Sequence, residues 1–195
     1  FNNYKVSAEV YDLNSKKVWN KSARIDIPED GVVNDVFTIE FPTNLTPVHF
    51  IKLRLFDEQG KEVANTFYWR SNSVYEGKTT LTGPTTAGFE ALSTLKTVTL
   101  KTRYRIHREA DKQLIQIELK NNSSTLAFFT QLQLLDESAK PVRPSFYTDN
   151  FFSLLPGESK TVQIETALED LPNQMELVVK GWNIKKQSFT ISIKK

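Results

Sequence analysis

The chain has 195 residues, enough for one large or two ordinary domains, and no cysteine, which removes disulfides, thiolate nucleophiles and thiolate metal sites together. A hydrophobic share of 39% with 11% aromatics belongs to a folded globular protein, not a disordered one. The formal net charge of +2, with acids and bases mixed throughout, leaves no electrostatic footprint for nucleic acid, and no run approaches the roughly 20 apolar residues of a membrane span.

The opening FNNYKV has neither an initiator Met nor a signal peptide and reads as a piece of a longer protein. After it, period-two alternation dominates, which sets apolar side chains on one face of a pleated strand. Val6, Ala8 and Val10 alternate with Lys5, Ser7 and Glu9. Ala23, Ile25 and Ile27 alternate with Arg24 and Asp26, and Phe37, Ile39 and Phe41 with Thr38 and Glu40. His49, Ile51, Leu53 and Leu55 share a face, with Lys52 and Arg54 opposite. Asp57-Glu58-Gln59-Gly60 predicts a hairpin turn, returning through residues 62–70. These five short strands predict antiparallel sheet.

Residues 71–95 break the rhythm with Gly77, Gly83-Pro84, Gly88 and a cluster of Thr, the punctuation of an interdomain connection. One helical turn is predicted at Phe89-Glu90-Ala91-Leu92, and the linker at 86–95. It separates a sandwich over 1–85 from another over 96–195. The second half resumes with Val98 and Leu100, then Tyr104 and Ile106. Ile115, Ile117 and Leu119 follow on one face, and Phe128, Leu132 and Leu134 on another, with Gln131 and Gln133 pointing away. Val162 with Ile164, Met175 with Leu177 and Val179, and Phe189 with Ile191 and Ile193 complete the series. About seven strands in roughly 100 residues is the count of an immunoglobulin-like sandwich. The fold class is therefore all-β, two tandem immunoglobulin-like β-sandwich domains, with two strands of the first expected upstream of Phe1.

Between the strands lies the most distinctive stretch, Phe146 to Lys160, FYTDNFFSLLPGESK. Pro156 presets φ for a tight turn and Gly157 accepts the positive φ that follows. Neighbours in an extended chain point to opposite faces, so one of Phe151 and Phe152, and one of Leu154 and Leu155, should be inward. Asp149 is expected to accept backbone amide hydrogen bonds within the loop. This pattern resembles the last immunoglobulin-like domain of family 2 glycoside hydrolases of the exo-β-D-glucosaminidase and β-mannosidase type. VSAEVYDLNSKKVW, IEFPTNLTPVHFIKLRLFDEQGKEVANTFYWRS and GFEALSTL are similar to the penultimate domain of the same enzymes and its exit segment. The resemblance runs from Lys5 to about Trp182. It implies a retaining glycosidase whose two glutamates sit in a (β/α)₈ barrel outside this chain.

This chain would then be non-catalytic and accessory, with the barrel of the same polypeptide as its partner. A β-linked glycan would reach it only through that barrel; neither nucleic acid nor membrane is a partner. The expected setting is the bacterial periplasm or the exterior, and no cofactor or metal is expected. Glu9, Asp57, Glu109 and Glu165 read as solvated acids on strands or turns. His49 and His107 stand on different domains without metal-ligand spacing. Asp149, Asn150 and Tyr147 are the candidates for the rim of a substrate cleft, against the alternative that Asp and Asn cap turns. Trp19, Trp69, Trp182, Tyr147 and Phe151 could stack on sugar rings as in a carbohydrate-binding module, with core packing favoured for Trp69. A third reading is a cell-surface adhesion sandwich.

Overall fold

The computed structural model describes residues 1–71, 88–168 and 171–193, and it is almost entirely β-structure. The chain divides into two compact units, Phe1–Leu95 and Lys96–Lys195. Of the expected linker 86–95 only residues 86 and 87 lie outside the described residues, as do Gly77 and Gly83-Pro84 before it. Within the linker, the expected helical turn is a 3-10 turn at Glu90–Thr94 that buries Leu92.

In the first unit, β1 (Tyr4–Tyr11), β2 (Lys17–Ile25), β3 (Val48–Phe56) and β4 (Glu62–Ser71) form one antiparallel sheet in the order β2-β1-β3-β4. The register sets Ala8 opposite Leu53 and Val10 opposite Ile51, so the apolar alternation of the two central strands falls on a shared face. The Asp57–Gly60 turn forms as expected: Gly60 adopts φ +83°, and Asp57 Oδ1 accepts from the amides of Gln59 and Lys61 at 3.0 and 2.8 Å. The same device closes Asp12–Lys16 and, in the second unit, Asp136–Lys140, where Asp Oδ1 takes the amide four residues on.

Two expectations fail here. The alternating run Phe37 to Phe41 has no strand partner. It is instead an extended segment laid on the sheet: the Phe37 ring lies 6.5 Å from Trp19, and Phe41 lies 5.3 Å from His49 with the Arg70 guanidinium 5.0 Å over its ring. Alternation reports one covered face, which a segment packed on a sheet supplies without a ladder. Trp69 is 42% exposed, not in a core, because β4 is an edge strand with nearly every position exposed.

The second unit is a two-sheet sandwich. Its strands are β5 (Lys101–Glu109), β6 (Lys112–Lys120), β7 (Ala127–Leu135), β8 (Ser145–Tyr147), β9 (Phe152–Leu154), β10 (Ser159–Ala167), β11 (Gln174–Lys180) and β12 (Gln187–Ser192). They form sheets in the orders β5-β6-β10-β8 and β12-β11-β7-β9. Ile115, Ile117, Leu119, Val162 and Ile164 from one sheet meet Leu132, Leu134, Leu177, Val179 and Ile191 from the other in a single core. Val98 enters that core through an isolated parallel bridge to Ile184. Phe128 does not share the core face of Leu132 and Leu134 as expected. Phe129, at φ +57°, is an extra residue in β7, so the inward parity switches from Ala127 to Leu132 across a bulge.

Candidate functional site

The loop from Tyr147 to Lys160 links β8 to β10 through β9, and its polar side chains are tied to the fold. Tyr147 ends β8, and its hydroxyl accepts the amide of Leu134 on β7 at 3.0 Å. Burial pushes its phenol pKa up, and that hydrogen bond only partly opposes the shift. The ring thus staples one sheet to the other. Thr148 repeats the arrangement beside β10: its amide donates to the Gln163 carbonyl and its Oγ1 accepts the Gln163 amide, both at 3.0 Å.

Asn150 goes further. Its Oδ1 accepts the Leu132 amide at 2.8 Å and its Nδ2 donates to the Leu132 carbonyl at 3.0 Å. The side-chain amide therefore copies the backbone of a neighbouring strand, filling the rung of β7 that the short β9 does not reach. Oδ1 also accepts the Phe151 amide at 3.1 Å, and Phe151 turns to φ +59°. Asp149 accepts the Asn150 amide at 2.7 Å through Oδ1 and pairs with Lys160 through Oδ2. Lys160 in turn lies over the Phe152 ring at 5.1 Å. The structure thus brings Tyr147, Asp149 and Asn150 together in one loop and gives each an intramolecular partner.

The aromatic pair divides as the alternation predicts. Phe152 packs against the core, while Phe151 is 49% exposed. The leucine pair does not divide: Leu154 and Leu155 are both buried. Leu155 opens the tight turn, with the Glu158 amide donating to its carbonyl and Gly157 at φ +82°, so strand alternation ends at Leu154.

Beside this loop the surface turns aromatic. The Phe151 ring lies 5.4 Å from Phe129, itself 36% exposed and 5.9 Å from Phe128. The Trp182 amide donates to the Phe128 carbonyl at 3.0 Å, and the Trp182 side chain is 58% exposed. Gly181 makes this approach possible, since a Cβ there would fall 2.9 Å from the Phe129 carbonyl oxygen. Two left-handed phenylalanines and a required glycine hold three large rings at the surface.

Two buried asparagines that the sequence reading passed over fix the frame of this region. Asn121 Nδ2 donates to the carbonyls of Thr125 and Leu154, both at 2.8 Å. Asn183 donates to Lys96 and Leu126 and accepts the Phe128 amide. Each stands just past the end of a strand, β6 for Asn121 and β11 for Asn183, but nothing in the sequence gives its distant partner.

The acids singled out in the sequence that have a partner here are held in ion pairs or turn caps. Glu9, expected in solvent, is only 8% exposed: it pairs with Lys17 at 2.9 Å and with Arg54, and accepts the Tyr11 hydroxyl. Burial pushes its pKa up, but hydrogen bonds from Lys17 and Tyr11 and the Arg54 charge outweigh that and hold it below the usual value. A general acid needs the opposite shift. Asp57 caps its turn, and Glu165 pairs with Lys112 at 2.7 Å. His49 is buried with neither ring nitrogen hydrogen-bonded. Among the described residues no cluster of His, Asp and Glu could hold a metal ion.

The surroundings of this chain among known proteins agree with its architecture. It is 28% identical over 191 residues to an exo-β-D-glucosaminidase of Streptomyces avermitilis, covering 92% of this chain and 21% of that protein. With the exo-β-D-glucosaminidase of Hypocrea virens it shares 25% over 198 residues, covering 96% and 21%. The crystal structure of Amycolatopsis orientalis exo-chitosanase CsxA superposes with a TM-score of 0.83 at 23% identity, covering 97% of this chain and 24% of that one. The chain thus spans about a fifth of the length of these curated relatives. The family model described as the exo-β-D-glucosaminidase Ig-fold domain matches residues 78–184, more than half of the sequence, and the chain belongs to that family.

Proposed function

We propose that this chain is the non-catalytic, accessory part of a larger family 2 glycoside hydrolase of the exo-β-D-glucosaminidase type, a retaining enzyme whose catalytic barrel lies elsewhere in the polypeptide. Its role is to buttress that barrel and shape one side of the cleft. The observation that carries this reading is the exposed trio Phe129, Phe151 and Trp182, held by strained backbone and a required glycine. Rings fixed in that way at the surface suit a permanent docking contact. The neighbouring Tyr147, Asp149 and Asn150 support the loop that presents them. Their bonds favour scaffolding over direct sugar contact.

The test places Phe129→Ser, Phe151→Ser and Trp182→Ser in the full-length enzyme. Unit-unit docking predicts a lowered melting temperature and protease-sensitive domain release, with the isolated chain as stable as before. A second reading, a carbohydrate-binding module, is favoured by the same exposed rings. It predicts unchanged stability of the full enzyme and loss of oligosaccharide binding by the isolated chain.

A further inference from the structure

A second surface, away from the aromatic end, carries chemistry of its own. The outward face of the sheet β5-β6-β10-β8 holds a depression of about 520 Å³, lined by Arg103, Arg105, Gln116, Glu118 and Thr161, with Thr102 and Tyr104 also in its wall. The register builds it in two rows: Arg103 opposite Glu118 opposite Thr161, and Arg105 opposite Gln116. The inward-facing neighbours on the same strands are core residues, so these side chains are fixed outward by the pleat.

The charge here is lopsided. Lys101, Arg103 and Arg105 share the outward face of β5, and Lys120 stands directly opposite Lys101. Like charges opposite one another across two strands destabilise a sheet. Against these cations the depression offers the single carboxylate of Glu118. The other acids of this face, Glu109 and Glu165, lie at the far end with Lys112. None of Lys101, Arg103, Arg105 and Lys120 takes part in an ion pair among the described residues. Cations on an edge strand guard it against strand addition. A guard needs no facing Lys pair on the inner strand and no depression lined by amide and hydroxyl groups.

We propose that this face binds an acidic oligosaccharide, a glycan bearing uronate carboxylates. Guanidinium groups bind carboxylates through paired, charge-assisted hydrogen bonds. Gln116, Glu118 and Thr161 supply donors and acceptors for sugar hydroxyls. Phe146, 66% exposed on β8 of the same face, offers a ring at the far edge. Glycan is the choice over an acidic protein because Tyr104, the aromatic in the lining, is half-buried against the core and packed on Phe189, which leaves the depression without a protruding apolar anchor of the kind found at the centre of protein interfaces. A cationic glucosamine chain is repelled here, so this site is separate from the proposed substrate of the parent enzyme.

The test is calorimetric titration of the 195-residue chain at low salt with oligogalacturonate, neutral cello-oligosaccharide, chitosan oligosaccharide and poly-glutamate. The proposal expects oligogalacturonate to bind at least about tenfold more tightly than the other three. Arg103→Gln with Arg105→Gln should cost about tenfold, and 0.5 M salt should weaken binding strongly. Circular dichroism and the melting temperature of the double variant establish that it is folded. Absence of saturable oligogalacturonate binding at low salt would overturn the proposal. So would binding indifferent to the double substitution, and poly-glutamate binding as tightly would move the face to an acidic protein partner.

Discussion

Replacing Asn150 with Ala removes three hydrogen bonds at once and leaves both the amide and the carbonyl of Leu132 without their partner. Leu132 is 1% exposed, in the middle of the sandwich core. A buried backbone group left unpaired costs about 1–3 kcal/mol, and water reaching the half-buried Asn150 position recovers part of it. The expected loss is therefore about 2–4 kcal/mol. With a urea m-value of about 1–3 kcal/mol/M, the midpoint should fall by roughly 1–2 M. Asn150→Asp keeps the acceptor, loses the donor and sets a carboxylate against the Leu132 carbonyl, so it should fall between Ala and the parent. The assay is urea unfolding followed by Trp182 fluorescence in a Trp19→Phe, Trp69→Phe background, which reports the second unit alone. If Asn150→Ala stayed within about 0.5 kcal/mol of the parent, the strand-mimic account would fail and its amide would be free for a ligand.

Other outcomes follow from the same geometry. Phe152→Ala should cost about 2–4 kcal/mol, towards the low end of a buried phenylalanine, while the exposed Phe151→Ala should cost about 0.5 kcal/mol; equal values by denaturant unfolding would contradict the division of the pair. Gly181→Ala should destabilise by about 1–3 kcal/mol, since its Cβ meets two carbonyl oxygens, and a neutral thermal melt would refute that. Glu9, with its pKa lowered in the folded state, contributes stability present above about pH 4.5 and lost as pH falls through the folded value; Glu9→Gln should flatten that acid limb of the stability profile. His49 has its pKa lowered by burial and by the Arg70 charge, so the unfolded chain binds the proton first. Stability should drop as pH falls below about 6.5 and level off beneath the folded pKa, and His49→Leu should remove that step.

The long strands were legible because a half-buried strand writes its face into the sequence: Ile115 to Leu119 alternates as expected, and Ala8, Val10, Met175, Leu177 and Val179 are buried where alternation puts them, although Ser7, Glu9 and Val178 on the opposite faces are buried as well. What escaped was anything shorter or interrupted. β8 and β9 have three residues each, too few to show a period. The Phe129 bulge reverses parity inside β7 with no glycine to mark it. Phe37 to Phe41 alternates because it lies on a sheet, which sequence cannot separate from lying in one. At the candidate site the sequence identified the loop and not its purpose. Asn150 bonding a strand and Asn150 bonding a sugar use the same amide, and nothing in the sequence sets Leu132 within its reach. Glu9 read as a surface acid because Lys17 and Arg54, which neutralise it, come from neighbouring strands.

The central proposal is that this chain serves a glycosidase without performing its chemistry. Its most direct test is incubation of the purified 195-residue chain with a chromogenic β-D-glucosaminide and a β-mannoside at micromolar protein. The account predicts no release of chromophore above the buffer blank for either substrate. Turnover that co-purifies with the chain and scales with its concentration would contradict it.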